Sequence, residues 1–342
     1  MQRQIKDLPT RWAVYRLGHL GDVVLTTGVL TRLGEDFGWK FRYITAEQYA
    51  PVFSGHPFVE EVSCITKTDL SSFSAFSRKA KKLAAALPEY GLLDLHGTLR
   101  SKLLACRWHG HVLQYPKLGL ERRFFLATNK RFYGQRLLEH TVPQRYYMAV
   151  SSPPPKAVEL LPRVYLSDDE KALARKRLDE LFSPGSHPIA MHPFATHSLK
   201  AWPQEHWRSL ASQLDQLGIP WLILGQGDAL FPENSHDLTN RTTLRETCAL
   251  LSECRVLVTG DSGPMHLAEA VGTPVAALFG PTTREWGFYP AATHDIILEC
   301  DMSCRPCSLH GKKPCPENGA CMSAITTHDV LNALQSQALL DG

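Results

Sequence analysis

Short β-branched or aromatic runs alternate with amphipathic stretches along this chain, the pattern of parallel sheets covered by helices. In the first half, strand-like runs fall at residues 12–17, 40–45, 91–95 and 111–115, and the clearest helical periodicity at 71–87. Residues 151–155 read Ser-Ser-Pro-Pro-Pro, which continues neither a helix nor a central strand. The alternation then resumes with helix 167–182, strand 188–192, helix 203–217, strand 219–224, helix 244–252, strand 255–259, a helix from Gly263 and strand 274–279. Two α/β lobes are expected, residues 1–155 and 156–342, hinged at the proline run, with a ligand cleft between them and polar groups at the carboxyl ends of strands.

Length and composition agree with two cores. The chain has 342 residues, 44% of them hydrophobic and 21% charged, which excludes disordered and fibrous classes. The opening residues are polar, and no apolar run approaches the ~18 residues that span a bilayer, so a cytoplasmic location is expected. The net charge of +3 predicts no nucleic-acid partner, but it hides a local asymmetry. Between Thr98 and Arg136 stand nine basic residues, Arg100, Lys102, Arg107, Lys117, Arg122, Arg123, Lys130, Arg131 and Arg136, against one acid, Glu121. Such a run is ordinarily a solvated surface; its functional reading is a docking face for an anionic partner.

Three stretches carry candidate chemistry. The strand at 12–17 runs into Gly18-His19-Leu20-Gly21-Asp22 and an apolar-periodic helix. Gly21 allows close approach of a ligand, and Asp22 sits near the helix start, where the plain reading is a helix cap. At the end of the first strand of the second half, Thr196, His197, Ser198 and Lys200 offer donors suited to a phosphate, with a plain polar loop as the alternative. The most informative stretch is Gly260-Asp261-Ser262-Gly263-Pro264 between a strand and a helix. Free N–H groups and the positive end of a helix dipole suit a pyrophosphate there. Against that, Asp-Ser-Gly is common turn chemistry and His266 could be a satisfied core histidine.

No Walker A lysine loop, GxGxxG or HExxH occurs, which argues against ATPases, dehydrogenases and zinc proteases. Five of nine cysteines crowd the C-terminal region as Cys300, Cys304, Cys307, Cys315 and Cys321. One C-x2-C is present, but five residues separate the second pair, which is not a strong zinc-ribbon spacing, and bound zinc or a disulfide is left open.

Taken together, GHLGDVVLTT, the Thr-x-Ser-x-Lys-x-Trp-Pro run and DSGPMHLAEAVGTPVAALFGPT, in this order, resemble the lipopolysaccharide heptosyltransferases of glycosyltransferase family 9. The resemblance implies a GT-B fold, two Rossmann-like domains facing each other across a cleft, with the acceptor on the N-terminal and ADP-sugar on the C-terminal domain. It also implies inversion at the anomeric carbon and no cofactor or metal. By position, Asp22 matches the family's catalytic base, Lys200 its phosphate-binding lysine and Asp261, Ser262 and Gly263 its donor loop. Thr196 and Ser198 lie where the family has phosphate-facing hydroxyls, and His266 and Asp228 are further donor-side candidates. Gly21, Arg100, Arg122 and Arg123 are the acceptor-side candidates. Two departures stand out: Gly260-Asp261 replaces the Asn-Asp of many relatives, and Gly225-Gln226-Gly227-Asp228 presents no clear ribose-binding acid.

The expected activity is transfer of heptose or a related sugar from ADP-sugar to a lipopolysaccharide-core or other surface-glycan acceptor. The expected partners are the ADP-sugar, an acidic glycolipid and the inner-membrane surface. The rival readings are a family member with another donor or acceptor, a non-catalytic sugar-nucleotide binder that needs no Asp22, and a zinc-dependent nucleic-acid binder built on the cysteines.

Overall fold

The alternation seen in the sequence builds two separate parallel sheets. The computed structural model describes residues 7–128, 131–307, 315 and 317–340. The chain passes between two units three times: unit 1 is Met1–Leu118 with Val142–Tyr165, and unit 2 is Gly119–Thr141 with Leu166–Gly342.

Unit 1 opens with β1 (Arg11–Tyr15), α1 (Leu20–Phe37), β2 (Lys40–Ala46), β3 (Val59–Ile65), α2 (Phe73–Ala86), β4 (Gly91–Asp94), α3 (Leu99–Ala105) and β5 (Val112–Gln114). Its sheet runs β3-β2-β1-β4-β5, all parallel. Trp12, Ala13, Val14 and Tyr15 of β1 are wholly buried, as the centre of a sheet covered on both faces requires. The chain then lends a helical hairpin, α4 (Gly119–Thr128) and α5 (Arg131–Leu138), to unit 2 and returns with α6 (Val142–Tyr147).

Unit 2 continues with α7 (Asp168–Leu181), β6 (Ile189–His192), α8 (Gln204–Gln216), β7 (Trp221–Ile223), α9 (Leu244–Ser252), β8 (Val256–Gly260), α10 (Gly263–Ala270), β9 (Val275–Phe279), β10 (Ile296–Glu299), α11 (Ala320–Ser323) and α12 (Thr327–Ser336). The parallel sheet order is β10-β9-β8-β6-β7. Ser167 and Thr243 cap α7 and α9, each reciprocated by a glutamate three residues on. Among the described residues no helix is long and apolar enough to cross a membrane.

The division between units differs from the one expected at 155/156. The proline run stays in unit 1 because the segment after it is fastened to α1. Arg163 N donates to Thr27 Oγ1 at 2.8 Å, Arg32 pairs with Glu159 at 3.1 Å, and the Tyr165 and Thr31 hydroxyls meet at 3.2 Å. Gly28 makes this possible: a Cβ there would lie 2.0 Å from the Leu161 carbonyl oxygen.

The basic stretch is divided between the two units. Arg100, Lys102, Arg107 and Lys117 belong to unit 1, and Arg122, Arg123 and Arg136 to unit 2. Several are occupied within their own unit: Arg100 donates to the Leu70 carbonyl at 2.9 Å, Arg107 to Ser77 at 2.6 Å and Lys117 to the His96 and Gly97 carbonyls at 3.1 Å each. Arg122 donates to the Trp286 carbonyl at 3.4 Å. Lys130 and the side chain of Arg131 lie outside the described residues.

Candidate active site

In an open α/β sheet, ligands gather beyond the carboxyl ends of the strands where the strand order reverses. In unit 1 that point lies between β1 and β4. The residues leaving β1 are Arg16 to Gly18, and α1 begins at Leu20 after His19, placing Asp22 in its first turn. Asp22 does not cap the helix. Its Oδ2 lies 2.5 Å from Arg16 Nη2, and its Oδ1 accepts from the Tyr146 hydroxyl at 3.0 Å.

Both partners are themselves fixed. Arg16 Nη1 donates to the Leu95 carbonyl, just past β4, at 2.8 Å, and its guanidinium lies 5.7 Å from the Tyr146 ring centre. Tyr146 is buried on α6 and meets the Tyr115 ring edge-on at 5.0 Å. Burial by itself would push the Asp22 carboxyl up, but the Arg16 charge and the hydrogen bonds from Tyr146 and Arg16 outweigh it and hold it below the ordinary aspartate value. His96, across the switch point, is driven down to about 3 by burial and by the charges of Arg16 and Lys117, so it is neutral at physiological pH. The site is therefore an oriented carboxylate with most of its surface sealed by protein: the Asp22 side chain keeps 15% exposure.

In unit 2 the order reverses between β6 and β8. Lys200 follows β6 in a short 3-10 turn, Ser198–Lys200, and Asp261 follows β8. Lys200 Nζ lies 2.5 Å from Asp261 Oδ2, an oxygen that also accepts from Thr282 Oγ1 at 2.8 Å. The close passage of these two loops accounts for Gly260, where a Cβ would stand 3.1 Å from the Lys200 carbonyl oxygen. Ser262 occupies the N-cap position of α10 without capping it by its side chain. Its hydroxyl turns instead to Thr259 Oγ1 at 3.1 Å and His192 Nδ1 at 3.4 Å. The N-terminus of α10 thus keeps the positive end of its dipole beside an ammonium group, which is chemistry for a diphosphate.

His192, the last residue of β6, escaped the sequence reading. It is buried, its Nδ1 lies 3.1 Å from Thr259 Oγ1, and burial drives it down to about 4, so it is a neutral hydrogen-bonding ring. Its position at the end of a strand inside the His-Pro-Phe-Ala-Thr-His run was the available signal.

The structure brings Lys200, Asp261, Ser262 and Gly263 together. Thr196 and Ser198 are exposed on the Lys200 loop. His266 takes the satisfied-core alternative: it is 3% exposed, and its Nδ1 meets Glu269 Oε2 at 3.0 Å inside α10. Asp228 is exposed on a different loop, beyond β7. That loop needs its glycines, since Gly225 and Gly227 have φ of +140° and +155° and a Cβ on Gly227 would stand 2.5 Å from the Phe194 ring. All nine cysteines are free thiols, and among the described residues no group of three His, Cys, Asp or Glu side chains converges to hold a metal ion.

Comparison with known proteins gives this geometry a context. Residues 82–318 match the family model described as glycosyltransferase family 9 (heptosyltransferase). Lipopolysaccharide heptosyltransferase 1 of Pseudomonas aeruginosa is 27% identical over 336 residues, spanning 89% of this chain and 87% of that protein. The crystal structure of a family 9 glycosyl transferase from Veillonella parvula shares the fold with a TM-score of 0.76 at 20% identity, covering 98% of this chain and 99% of the other. Escherichia coli ADP-heptose lipopolysaccharide heptosyltransferase II superposes with a TM-score of 0.69 at 20% identity, over 97% and 98% of the two chains. The two Rossmann-like units are those of a GT-B fold, and the chain belongs to glycosyltransferase family 9, the heptosyltransferases.

Proposed function

We propose that this enzyme transfers heptose from ADP-heptose to a hydroxyl of an acidic lipopolysaccharide-core acceptor, at the surface of the membrane that carries it, with inversion and without a metal ion. The observation that carries the donor half is the α10 N-terminus, uncapped by Ser262 and lying beside Lys200 at the β6/β8 switch point. As the sugar leaves, negative charge grows on the diphosphate, and an ammonium with a helix dipole stabilises that charge in place. The Lys200–Asp261 pair must loosen for this, with the Thr282 hydroxyl retaining Asp261.

In the acceptor half, Asp22 takes the proton of the attacking hydroxyl. A lowered pKa makes it a weak base, so its contribution rests on orientation, which Arg16 and Tyr146 supply. Gly21, one residue earlier in the first turn of α1, carries no side chain to hinder approach of the acceptor, and Arg100, in the same unit, is the cation assigned to its acidic groups. Transfer that persists in EDTA, yielding a product whose anomeric configuration by NMR is opposite to that of the donor, supports the reading. Loss of transfer in EDTA with recovery on magnesium, or retention of configuration, refutes the mechanism.

A further inference from the structure

The α4–α5 hairpin has an inner and an outer face of different character. Inside, Phe125 packs edge-on against Trp286 with ring centres 5.8 Å apart, Leu137 is wholly buried, and Gly134 lets the two helices close, since a Cβ there would stand 2.9 Å from the Phe125 ring. Outside, Leu120 is 65% and Phe124 49% exposed, one helical turn apart on α4, and the Phe124 ring stacks on Tyr133 of α5 at 5.5 Å. Arg123 is exposed on the same side of α4, and Arg136 is exposed on α5. Over residues 119–141 the sequence carries five Arg and Lys against two Glu, and one of those acids, Glu121, is paired with Arg136 at 3.4 Å.

A large apolar pair left in water beside an exposed arginine, on a segment whose sequence carries an excess of cations, is the surface of an interfacial helix, whose rings enter the headgroup boundary while cations meet lipid phosphates. We propose that the outer face of this hairpin, Leu120, Phe124 and Tyr133 with Arg123, docks on an anionic phospholipid bilayer. The charge excess selects that occupant over a second copy of the chain, which would set the same cations against each other.

The proposal names the membrane partner of the function proposed above, and its test needs no sugar transfer. Full-length protein is floated with phosphatidylcholine vesicles and with vesicles containing phosphatidylglycerol. Binding to the anionic vesicles is expected, weakening with salt and falling by about tenfold or more in Leu120→Ser/Phe124→Ser and in Arg123→Glu. Because Leu120 and Phe124 are exposed, the double variant keeps the parent's circular dichroism and ADP affinity, which separates lost docking from misfolding. Absence of binding by the parent, equal binding by the variants, or a concentration-dependent dimer in light scattering that the double variant abolishes each overturns the proposal. Heptosyl transfer to a lipid-free acceptor oligosaccharide, measured alongside, reports on the enzymatic reading independently.

Discussion

Arg16 lies 2.5 Å from Asp22, and the same carboxylate is fixed from its other side by Tyr146. A carboxylate held this way is ionised over the whole physiological range and points in one direction, at the cost of basicity. The pair also binds the fold, because Arg16 reaches on to the Leu95 carbonyl and so links the ends of β1 and β4.

Removing the Tyr146 hydroxyl tests this division of labour. Tyr146→Phe deletes one hydrogen bond that holds the Asp22 carboxyl down, so its pKa should rise and the acid limb of the kcat/KM profile should move to higher pH. Stability should fall by about 1–3 kcal/mol for a lost hydrogen bond to a charged group. An unmoved acid limb separates Tyr146 from the chemistry.

Lys200→Ala should weaken ADP binding by about tenfold or more, through loss of a charge-assisted contact worth about 1.5–3 kcal/mol. It also leaves Asp261 without its cation, which repels the incoming diphosphate. Calorimetry with ADP reads the effect directly, and unchanged affinity places the diphosphate elsewhere.

Buried histidines give the fold an acid-sensitive window. His56 and His192 are both driven down to about 4 by burial, whereas the unfolded chain protonates them near 6.5. Between those values the unfolded state binds more protons, so stability is fully present above about 6.5 and is lost as pH falls toward about 4. Asp295, pushed up to about 7 by burial and by Glu269, acts in the opposite sense, losing its contribution as pH rises through about 7. The Tm should therefore climb from pH 4.5 to about 6.5 and then flatten. A His56→Gln/His192→Gln variant should melt lower at pH 7 but with a shallower climb, and parallel curves would contradict the assignment.

Gly28→Ala should destabilise unit 1 by about 3 kcal/mol, because its Cβ meets backbone, which cannot swing aside as a side chain can. The Tm by calorimetry measures it, and a shift within experimental error would mean that residues 160–161 yield to α1.

These residues also show what the sequence made legible. Buried strands such as β1 and β8 announced themselves as continuous apolar runs, and Asp22, Lys200 and the Asp261 loop stood out at their ends. The strand β3 did not, because the exposed Glu60 and Glu61 break its apolar run, and β10 did not because its apolar run is only Ile296 to Leu298. The proline run looked like a domain border because the hydrogen bonds and glycine contact that fasten 159–165 to α1 are tertiary. Arg16 lies within the strand-like run 12–17, where nothing in the sequence marks it as a partner of Asp22, and Tyr146 lies 124 residues beyond Asp22. The division of the basic stretch between the two units is likewise invisible to a charge count.

The central claim, that Asp22 serves as base in heptosyl transfer from ADP-heptose, is tested most directly by mass spectrometry of a heptose-free lipopolysaccharide-core acceptor incubated with ADP-heptose and either the parent enzyme or Asp22→Asn. The account predicts that the parent adds one heptosyl residue, whereas the variant is slower by about a hundredfold or more and binds ADP within about threefold of the parent. Turnover by Asp22→Asn close to that of the parent, or no heptosyl product from the parent, would contradict it.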